Sequence, residues 1–487
     1  MPTKNLNIVS VTAELSPFVK TGGLGIVANN LPQALAKLGH NVIIITPFYK
    51  KIAENTRGLK LVIKNMPFAV QKTELAADVY EGTLNEGVKV YFIDKPSFFS
   101  EIPVIYGSPF DNKRFLFFNF AVIQTLKELG FNPDIIQCHD WHTGLLPCLI
   151  HAGKNIKNPA TVFTIHNLAF QLGSDWWLIP EKERDNGISP LPDFTDEARI
   201  KNLNFTLRGI LCADLISTVS EHYAQEIMTK RFGENLERQL KDRRRDIFGI
   251  INGIDYNEYN PETDPGLPIK YNIDTFDRNR KNKLALQEYF DIERNPTKPL
   301  IGMVSRITEQ KGFDLLIEIL PALMKLDLQL VIMGSGDKRY EDTFGQAHKK
   351  YPKKFGYRSY DQRYETLVYS GSNFFLMPSR FEPCGLGQLL SLRYGSIPIV
   401  HGVGGLSDTV TDFNPKTGKG NGFVFTSYDS RAILTAIVRA LENLKRNGVM
   451  WNNLIKTSMS EVYSWELPAK KYVSLFKRAL RKHKSEK

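Results

Sequence analysis

Only four cysteines occur in the 487 residues, and no two of them stand in a C-x-x-C pair. Such sparse spacing argues against a disulfide framework and against a zinc site, and for a reducing compartment. No apolar run approaches the roughly 20 residues that cross a bilayer, so a membrane is not expected as a partner. The first residues lack a charged stretch followed by an apolar one, so no secretory signal is read and a cytoplasmic protein is expected. There is no D-x-D triplet of the kind that holds a metal in many sugar-transferring enzymes. The Gly334-Ser335-Gly336-Asp337 segment is a fragment of a dinucleotide fingerprint without the full G-x-G-x-x-G or its downstream acid, which argues against a dehydrogenase. Internal repeats and low-complexity tracts are also missing. Neither a metal nor an organic cofactor is expected.

Positive charge is present in excess, with a formal net charge of +11. It is scattered, and its densest runs are Arg243-Arg244-Arg245 and the tail from Lys477 to Lys487. Scattered charge reads as solvated surface rather than a nucleic-acid stripe, and no nucleic-acid partner is expected.

Short β-rich runs alternate with helical patterns along most of the chain. Asn7 to Val11, Val42 to Thr46, Val88 to Ile93, Ile135 to Cys138, Thr161 to Ile165 and Leu215 to Val219 read as buried strands. Leu300 to Val304, Leu328 to Met333, Phe374 to Met377 and Ile397 to Val400 repeat the pattern. Near-continuous apolar strands separated by helices predict parallel sheets covered on both faces. Val27, Leu31, Leu35 and Leu38 mark one face of a helix. The boundary between two such halves is expected near Asn252-Gly253, giving domains 1–252 and 253–464, with a cleft between them for a ligand. Leu172 to Glu197 has no clean period and reads as an irregular insertion or lid.

Two segments carry the chemistry. Lys20-Thr21-Gly22-Gly23-Leu24 and Ser379-Arg380-Phe381-Glu382-Pro383-Cys384-Gly385-Leu386 each join glycine to a charged side chain ahead of an apolar helical pattern. Loops of this kind bring backbone N–H groups and a helix start to a phosphate. Gly404-Gly405-Leu406 is a third N–H-rich turn. Arg306 and Lys311 follow the strand Leu300 to Val304, where ligands of parallel sheets bind. Arg offers a fork and Lys a point charge, suited to a leaving diphosphate. The bland alternative is a surface salt bridge at a helix start. His139-Asp140-Trp141-His142 and His166-Asn167 follow two more strands. Hydrogen bonding to a polyhydroxylated ligand and a purely structural role both suit these histidines. H-x-x-H without a carboxylate cluster argues against zinc. Trp141, Trp176 and Trp177 suit stacking on sugar rings or core packing. Glu382 suits binding of sugar hydroxyls or stabilising positive charge at an anomeric carbon, or simply an acid near a helix start.

Together these segments resemble the bacterial glycogen synthase and plant starch synthase family. Lys20 to Leu24 is similar to its K-T-G-G-L loop, His139 to His142 to its H-D-W-H, and Thr164 to Gln171 to its T-x-H-N-x-x-x-Q. Ser305 to Gly312 is similar to S-R-x-x-x-Q-K-G, and Pro378 to Leu386 to P-S-R-F-E-P-C-G-L. Asn421-Gly422-Phe423 and the region around Trp465 continue the likeness to the end of the chain. The resemblance implies an α/β GT-B fold of two Rossmann-like domains, with the last helix, 465–487, crossing back to the first. It implies transfer of glucose from ADP-glucose, or less often UDP-glucose, to the non-reducing end of an α-1,4-glucan with retained configuration. It also implies that His166, Arg306, Lys311 and Glu382 are catalytic. Lys20, Gly22, Gly23, Asp140, Asn167, Tyr357, Cys384, Gly385, Leu386, Gly404 and Gly405 would bind substrate, with Tyr357 stacking on the base.

The chain departs from the family pattern at four positions. Ile26 stands where the family has Asp, Gly387 and Val403 where it has Thr, and Leu172 where it has Gly. Ile26 cannot replace a carboxylate. The departures keep open a transferase of the same fold with another nucleotide sugar or acceptor, and a non-catalytic glucan-binding scaffold.

Overall fold

Runs rich in Val, Ile and Leu, with isolated buried polar residues such as Ser10, Gln137 and Thr164, become the central strands. The computed structural model describes residues 5–153, 157–446 and 448–485. It divides into one unit of Met1–Ile250 with Trp465–Lys487, and a second of Ile251–Ser464.

The first unit holds β1 (Asn7–Val11), β2 (Asn41–Pro47), β3 (Lys60–Val70), β4 (Thr73–Thr83), β5 (Lys89–Asp94), β6 (Ile135–His139), β7 (Ala160–Ile165), β8 (Leu215–Thr218) and β9 (Ile247–Gly249). Their order in one sheet is β3-β4-β5-β2-β1-β6-β7-β8-β9. Neighbours from β5 to β9 run parallel, and β4 is antiparallel to both β3 and β5. Side chains of β1 alternate between faces. Ile8 joins Val27, Leu31 and Leu35 of the helix Gly23–Lys37 in one cluster, and Val9 and Val11 join the aromatic cluster around Phe115 and Phe117.

The second unit holds β10 (Leu300–Val304), β11 (Gln329–Met333), β12 (Phe355–Arg358), β13 (Phe374–Met377), β14 (Ile397–His401) and β15 (Phe423–Phe425). All neighbours in the order β12-β11-β10-β13-β14-β15 are parallel.

Both sheets reverse their winding at one point. The chain moves outward from β1 to β2, then returns to place β6 on the other side of β1. It does the same from β10 to β11, with β13 on the far side of β10. Ligands of such sheets bind beyond the C-terminal ends of the strands at this reversal. The loops in question follow β1, β6, β10 and β13.

The hairpin β3–β4 has no counterpart in the sequence reading. Its turn, Gln71-Lys72, lacks the usual Asn-Gly signal, and Gln71 takes φ +54°. Its register shifts between Leu61 and Met66, where Asn65 has φ +51° and its N–H donates to Asp78 Oδ1 at 2.7 Å. A bulged, half-solvated pair of strands loses the clean alternation that marks a strand. β15 is three residues long, too short to carry a pattern.

The helix Glu466–Ser485 lays Ala469, Tyr472, Phe476 and Ala479 on the same face of the first sheet as the helix Gly23–Lys37. Its end is tied by His483 Nδ1 donating to Asp214 Oδ1 at 2.9 Å and by Lys482 lying 2.6 Å from Asp246. Asp214 also accepts from the Thr161 N–H and hydroxyl, and His151 Nε2 lies 3.5 Å away. Burial alone would raise this carboxyl, and the hydrogen bonds from His151, Thr161 and His483 outweigh it, holding it at about 2. The basic run at 243–245 is partly structural: Arg243 pairs with Asp246 and donates to the carbonyls of Ile210, Leu211, Ala213 and Asp214, capping the helix Phe205–Cys212.

The sparse cysteines argued against a disulfide framework, yet one disulfide joins Cys148 to Cys212. The helices Leu146–Ala152 and Phe205–Cys212 bring the two Cα atoms to 5.0 Å, a tertiary contact that the 64-residue separation hides. Cys138 and Cys384 are free and buried. Closing a loop of this length restricts the unfolded chain, and the expected contribution is about 2–4 kcal/mol. Urea unfolding with and without dithiothreitol measures it, and an unchanged midpoint would remove the bridge from the stability of this unit.

Candidate active site

In the second unit, the loop after β10 carries Ser305, Arg306 and the 3-10 turn Glu309–Lys311, which leads into the helix Phe313–Leu323. Gly312 joins them at φ +75°, and a Cβ there would meet the Pro378 carbonyl oxygen at 2.0 Å. Glycine is required twice over: for the left-handed backbone and for the approach of the loop that follows β13. That approach puts Lys311 Nζ 2.6 Å from Glu382 Oε2. Ser379 Oγ donates to the same oxygen at 2.9 Å. Glu382 is buried, and the Lys311 side chain keeps 17% of its surface exposed. The Arg380 N–H donates to the Gln310 carbonyl, and Gln310 Nε2 to the Phe381 carbonyl, closing the seam between the loops. Arg306 is exposed and makes no ion pair among the described residues.

Cys384 is buried, and burial pushes its thiol up to about 12, so it is no nucleophile. Gly385 has φ +72°, and Leu386 takes the N-cap position of the helix Gly387–Arg393. Gly404 starts the helix Gly404–Thr409 at φ +46°. The Gly405 N–H is spent on the carbonyls of Glu382 and Pro383, and a Cβ on Gly405 would meet the Cys384 carbonyl oxygen at 2.1 Å. That glycine therefore locks the Glu382 loop and offers no free donor to a phosphate. Tyr357 lies on β12, half-buried, with its ring 5.8 Å from that of Phe344 and its hydroxyl donating to the Gly334 carbonyl at 3.3 Å.

In the first unit, the loop after β1 carries Lys20, exposed and without an ion pair among the described residues. The Gly22 N–H, expected to face a phosphate, donates instead to Glu14 Oε2 at 3.2 Å, beside the Thr21 N–H at 2.8 Å. Gly23 opens the helix, where N–H groups have no intrahelical acceptor. Ile26 is half-buried on the first turn of the same helix.

Asp140 follows β6 with φ +56°, and its Oδ1 accepts the N–H of His166 at 2.7 Å and that of Asn167 at 3.4 Å. It thereby fixes the turn after β7. His139 Nδ1 and His166 Nε2 lie 2.9 Å apart, and Ser10 Oγ is 3.1 Å from His139 Nε2. His142 stacks on Tyr106, at 4.8 Å between ring centroids. Trp141 and Trp176 are buried, whereas Trp177 is exposed and donates to Glu234 Oε2 at 3.3 Å. Asn167 is half-buried, its side-chain oxygen accepting the Ala169 N–H. The sequence reading missed Glu14 and Tyr106, and it named Ser379 only as part of its motif. The signal for Glu14 was an acid between the apolar Ala13 and Leu15, three residues past the end of β1.

Burial holds His166 down to about 3. Burial, and then the neighbouring His166, holds His139 well below its usual range. Burial, and then Arg114, does the same to His142. All three rings are neutral near pH 7, so they act as hydrogen-bonding groups rather than cations. Burial pushes Asp140 up to about 7, against the pull of the two backbone N–H groups. For His166 the unfolded chain takes up its proton near 6.5 and the folded chain only near 3. Its contribution to stability is therefore complete above pH 6.5 and lost as pH falls. Replacing it with Asn is expected to remove about 1.4 kcal/mol per pH unit from the slope of unfolding free energy in that window. Urea titrations of both proteins from pH 7 to pH 5 measure the difference, and parallel slopes would show that His166 is not held neutral.

Residues 7–242 match the family described as "Starch synthase catalytic domain", and residues 287–456 match "Glycosyl transferases group 1". A glycogen synthase of Pseudothermotoga lettingae is 39% identical over 98% of this chain and 99% of its own length. One from Clostridium novyi is 39% identical over 98% of this chain and all of its own. Among solved structures, the catalytic domain of starch synthase IV from Arabidopsis thaliana, bound to ADP and acarbose, is 30% identical, covers 98% of this chain and 100% of that one, and superposes with a TM-score of 0.85. A sucrose-phosphate synthase from Thermosynechococcus elongatus, 16% identical over 97% of this chain and 99% of its own with a TM-score of 0.62, shares the fold. The two parallel-sheet units are those of the GT-B fold, and the chain belongs to the glycogen synthase and starch synthase family of glycosyltransferases.

Proposed function

We propose that this chain moves glucose from ADP-glucose to the 4-hydroxyl at the non-reducing end of an α-1,4-glucan, with retention at C1. The observation that carries the reading is the Lys311–Glu382 pair, 2.6 Å apart, on the two loops at the winding reversal of the second sheet. A cation and a carboxyl side by side suit a substrate whose leaving group is anionic and whose reacting carbon becomes positive. In this reading Arg306 and Lys311 hold the diphosphate, with Lys20 supplying a further cation. His166 and Glu382 hold the glucosyl unit, Asp140 and Asn167 shape its pocket, and Tyr357 meets the base. The acceptor oxygen bonds to C1 as the bond from C1 to the phosphate oxygen breaks, and that phosphate oxygen takes the acceptor's proton. The departing diphosphate and the incoming hydroxyl share one face, so configuration is kept without a covalent intermediate.

Glycogen synthase names among the relatives and ADP in the starch synthase structure favour an adenine donor and a glucan acceptor. The cytoplasm is proposed from the family alone, because the bridged Cys148 and Cys212 withdraw the argument from sparse cysteines.

Incubation with ADP-glucose or UDP-glucose plus glycogen, following nucleotide release and glucan growth, tests the reading directly. Turnover is expected with ADP-glucose and without added metal. Activity that vanishes with EDTA and returns with manganese would contradict a site run by cationic side chains. Release of nucleotide without glucan growth would move the acceptor to another class.

Lys311→Ala is expected to lower kcat by roughly 10²- to 10⁴-fold, the range for lost transition-state charge stabilisation. It also leaves the buried Glu382 without its cation, and a stability loss of about 3 kcal/mol is expected from that alone. Turnover near the parent value in a folded Lys311→Ala protein would remove Lys311 from the chemistry.

A further inference from the structure

Glu14 has no counterpart in the substrate-binding set, yet it is buried just behind the Lys20–Leu24 loop, with 4% of its surface exposed. Four donors converge on it. Oε2 accepts the Thr21 N–H at 2.8 Å and the Gly22 N–H at 3.2 Å, and Oε1 accepts the Thr21 hydroxyl and the Tyr106 hydroxyl, the latter at 2.9 Å. No Lys or Arg pairs with it among the described residues. A Cβ at Gly25 would lie 3.4 Å from Oε2 and 3.2 Å from the Val19 carbonyl, so the helix start closes tightly over the acid.

This arrangement does not draw an anion to the loop, since an acid behind a phosphate site works against attraction. What it does is orient. By taking the N–H groups of Thr21 and Gly22, Glu14 turns that peptide inward. The donors left for a ligand are those of the first helical turn, beginning at Gly23, with the exposed Lys20 beside them. Tyr106 extends the constraint. Its hydroxyl is bonded to Glu14 and its ring stacks on His142, in the segment whose Asp140 fixes the His166 and Asn167 turn. Glu14 and Tyr106 thus link the loop after β1 to the loop after β6, the two that flank the winding reversal of this sheet.

We propose that Glu14 is a positioning residue: it sets the Lys20–Leu24 loop in its nucleotide-binding shape and, through Tyr106, couples that loop to the His139–His142 segment. Glu14 touches no substrate itself. The inference rests on reading Lys20–Leu24 as a diphosphate loop.

The test is ADP affinity by calorimetry, with kcat and KM for ADP-glucose and for glycogen, on the full chain and on Glu14→Ala, Glu14→Gln, Tyr106→Phe and Lys20→Ala. Glu14→Ala is expected to weaken ADP binding and raise the ADP-glucose KM by at least tenfold, with the glycogen KM within about twofold of the parent. Glu14→Gln is expected to restore most of the affinity. Its carboxamide oxygen can still accept the two N–H groups, and its NH₂ can donate to the Thr21 and Tyr106 hydroxyls. Tyr106→Phe removes one hydrogen bond without emptying the site and is expected to weaken ADP binding several-fold. It keeps the proposal testable if Glu14→Ala does not fold. ADP affinity within twofold of the parent in a folded Glu14→Ala protein, or in Tyr106→Phe where the alanine variant is unfolded, would overturn it. So would equal loss in the Gln and Ala variants. Lys20→Ala separates the two readings. If it weakens ADP binding while Glu14→Ala does not, only the positioning role falls. If Lys20→Ala has no effect, the diphosphate reading of the loop falls and takes the positioning role with it.

Discussion

A carboxyl group accepting hydrogen bonds from the loops around it is the interaction on which the candidate residues of each unit depend. Glu14 holds the Thr21 and Gly22 N–H groups, Asp140 holds those of His166 and Asn167, and Glu382 is held by Ser379 and Lys311. Loops at strand ends are where function sits because they are free of the sheet's ladder, and the same freedom would leave them shapeless. An acid below the loop resolves the conflict. It gives the loop's donors fixed partners, backbone N–H groups at Glu14 and Asp140 and side chains at Glu382. The cost is a desolvated carboxyl, visible in Asp140 being pushed up to about 7. That cost is tolerable because each acid has several donors rather than one.

The second unit shows how charge is arranged once the loops are fixed. Lys311 is already engaged by Glu382, so its charge is partly balanced before any ligand arrives, whereas Arg306 is exposed and unpaired among the described residues. The two cations are therefore unequal. Under the proposed function, an incoming diphosphate would meet Arg306 without a competing protein anion but would share Lys311 with Glu382. Such sharing suits a group whose contribution grows as negative charge develops on the leaving oxygen, because the lysine's balance can shift away from the glutamate at that moment.

The central strands were legible because parallel sheets buried on both faces leave near-unbroken apolar runs, and Leu300 to Val304 or Thr161 to Ile165 admit little else. The motif residues were legible for the complementary reason that glycine, charge and strand ends coincide in them. What the sequence hid was pairing across distance. The β3–β4 hairpin bulges at Asn65 and turns without glycine, so neither alternation nor turn chemistry exposed it. Cys148 and Cys212 meet because two helices pack, and nothing local announces that. Gly22 and Gly405 were read as donors to a ligand. Each instead turns its N–H inward, because the acid Glu14 and the carbonyls of Glu382 and Pro383 lie behind them. A glycine motif in sequence records that backbone comes close to something, and the structure decides whether that something is ligand or protein.

The departures from the family pattern divide on the same physical ground. A Cβ at Gly387 would meet Phe375 Cε1 at 2.9 Å and Met377 Sδ at 3.3 Å, so the room that a threonine side chain would take is filled by the strand residues beneath. Glycine fits the space that Phe375 and Met377 leave, and the helix start keeps its backbone donor. Val403 is likewise buried at the N-cap of the helix Gly404–Thr409, where its backbone N–H donates to the His401 carbonyl and its side chain packs. Leu172 is buried against Trp176 and Ile179, giving the irregular segment a small apolar anchor of its own. Ile26 differs from all three. It is half-buried, on the first turn of the helix that Glu14 positions, and the described contacts give it no enclosing cluster. An apolar side chain at that place removes a hydrogen-bonding group from a helix start whose remaining donors are backbone. Of the four residues, it alone is neither buried nor given a packing partner by the described contacts.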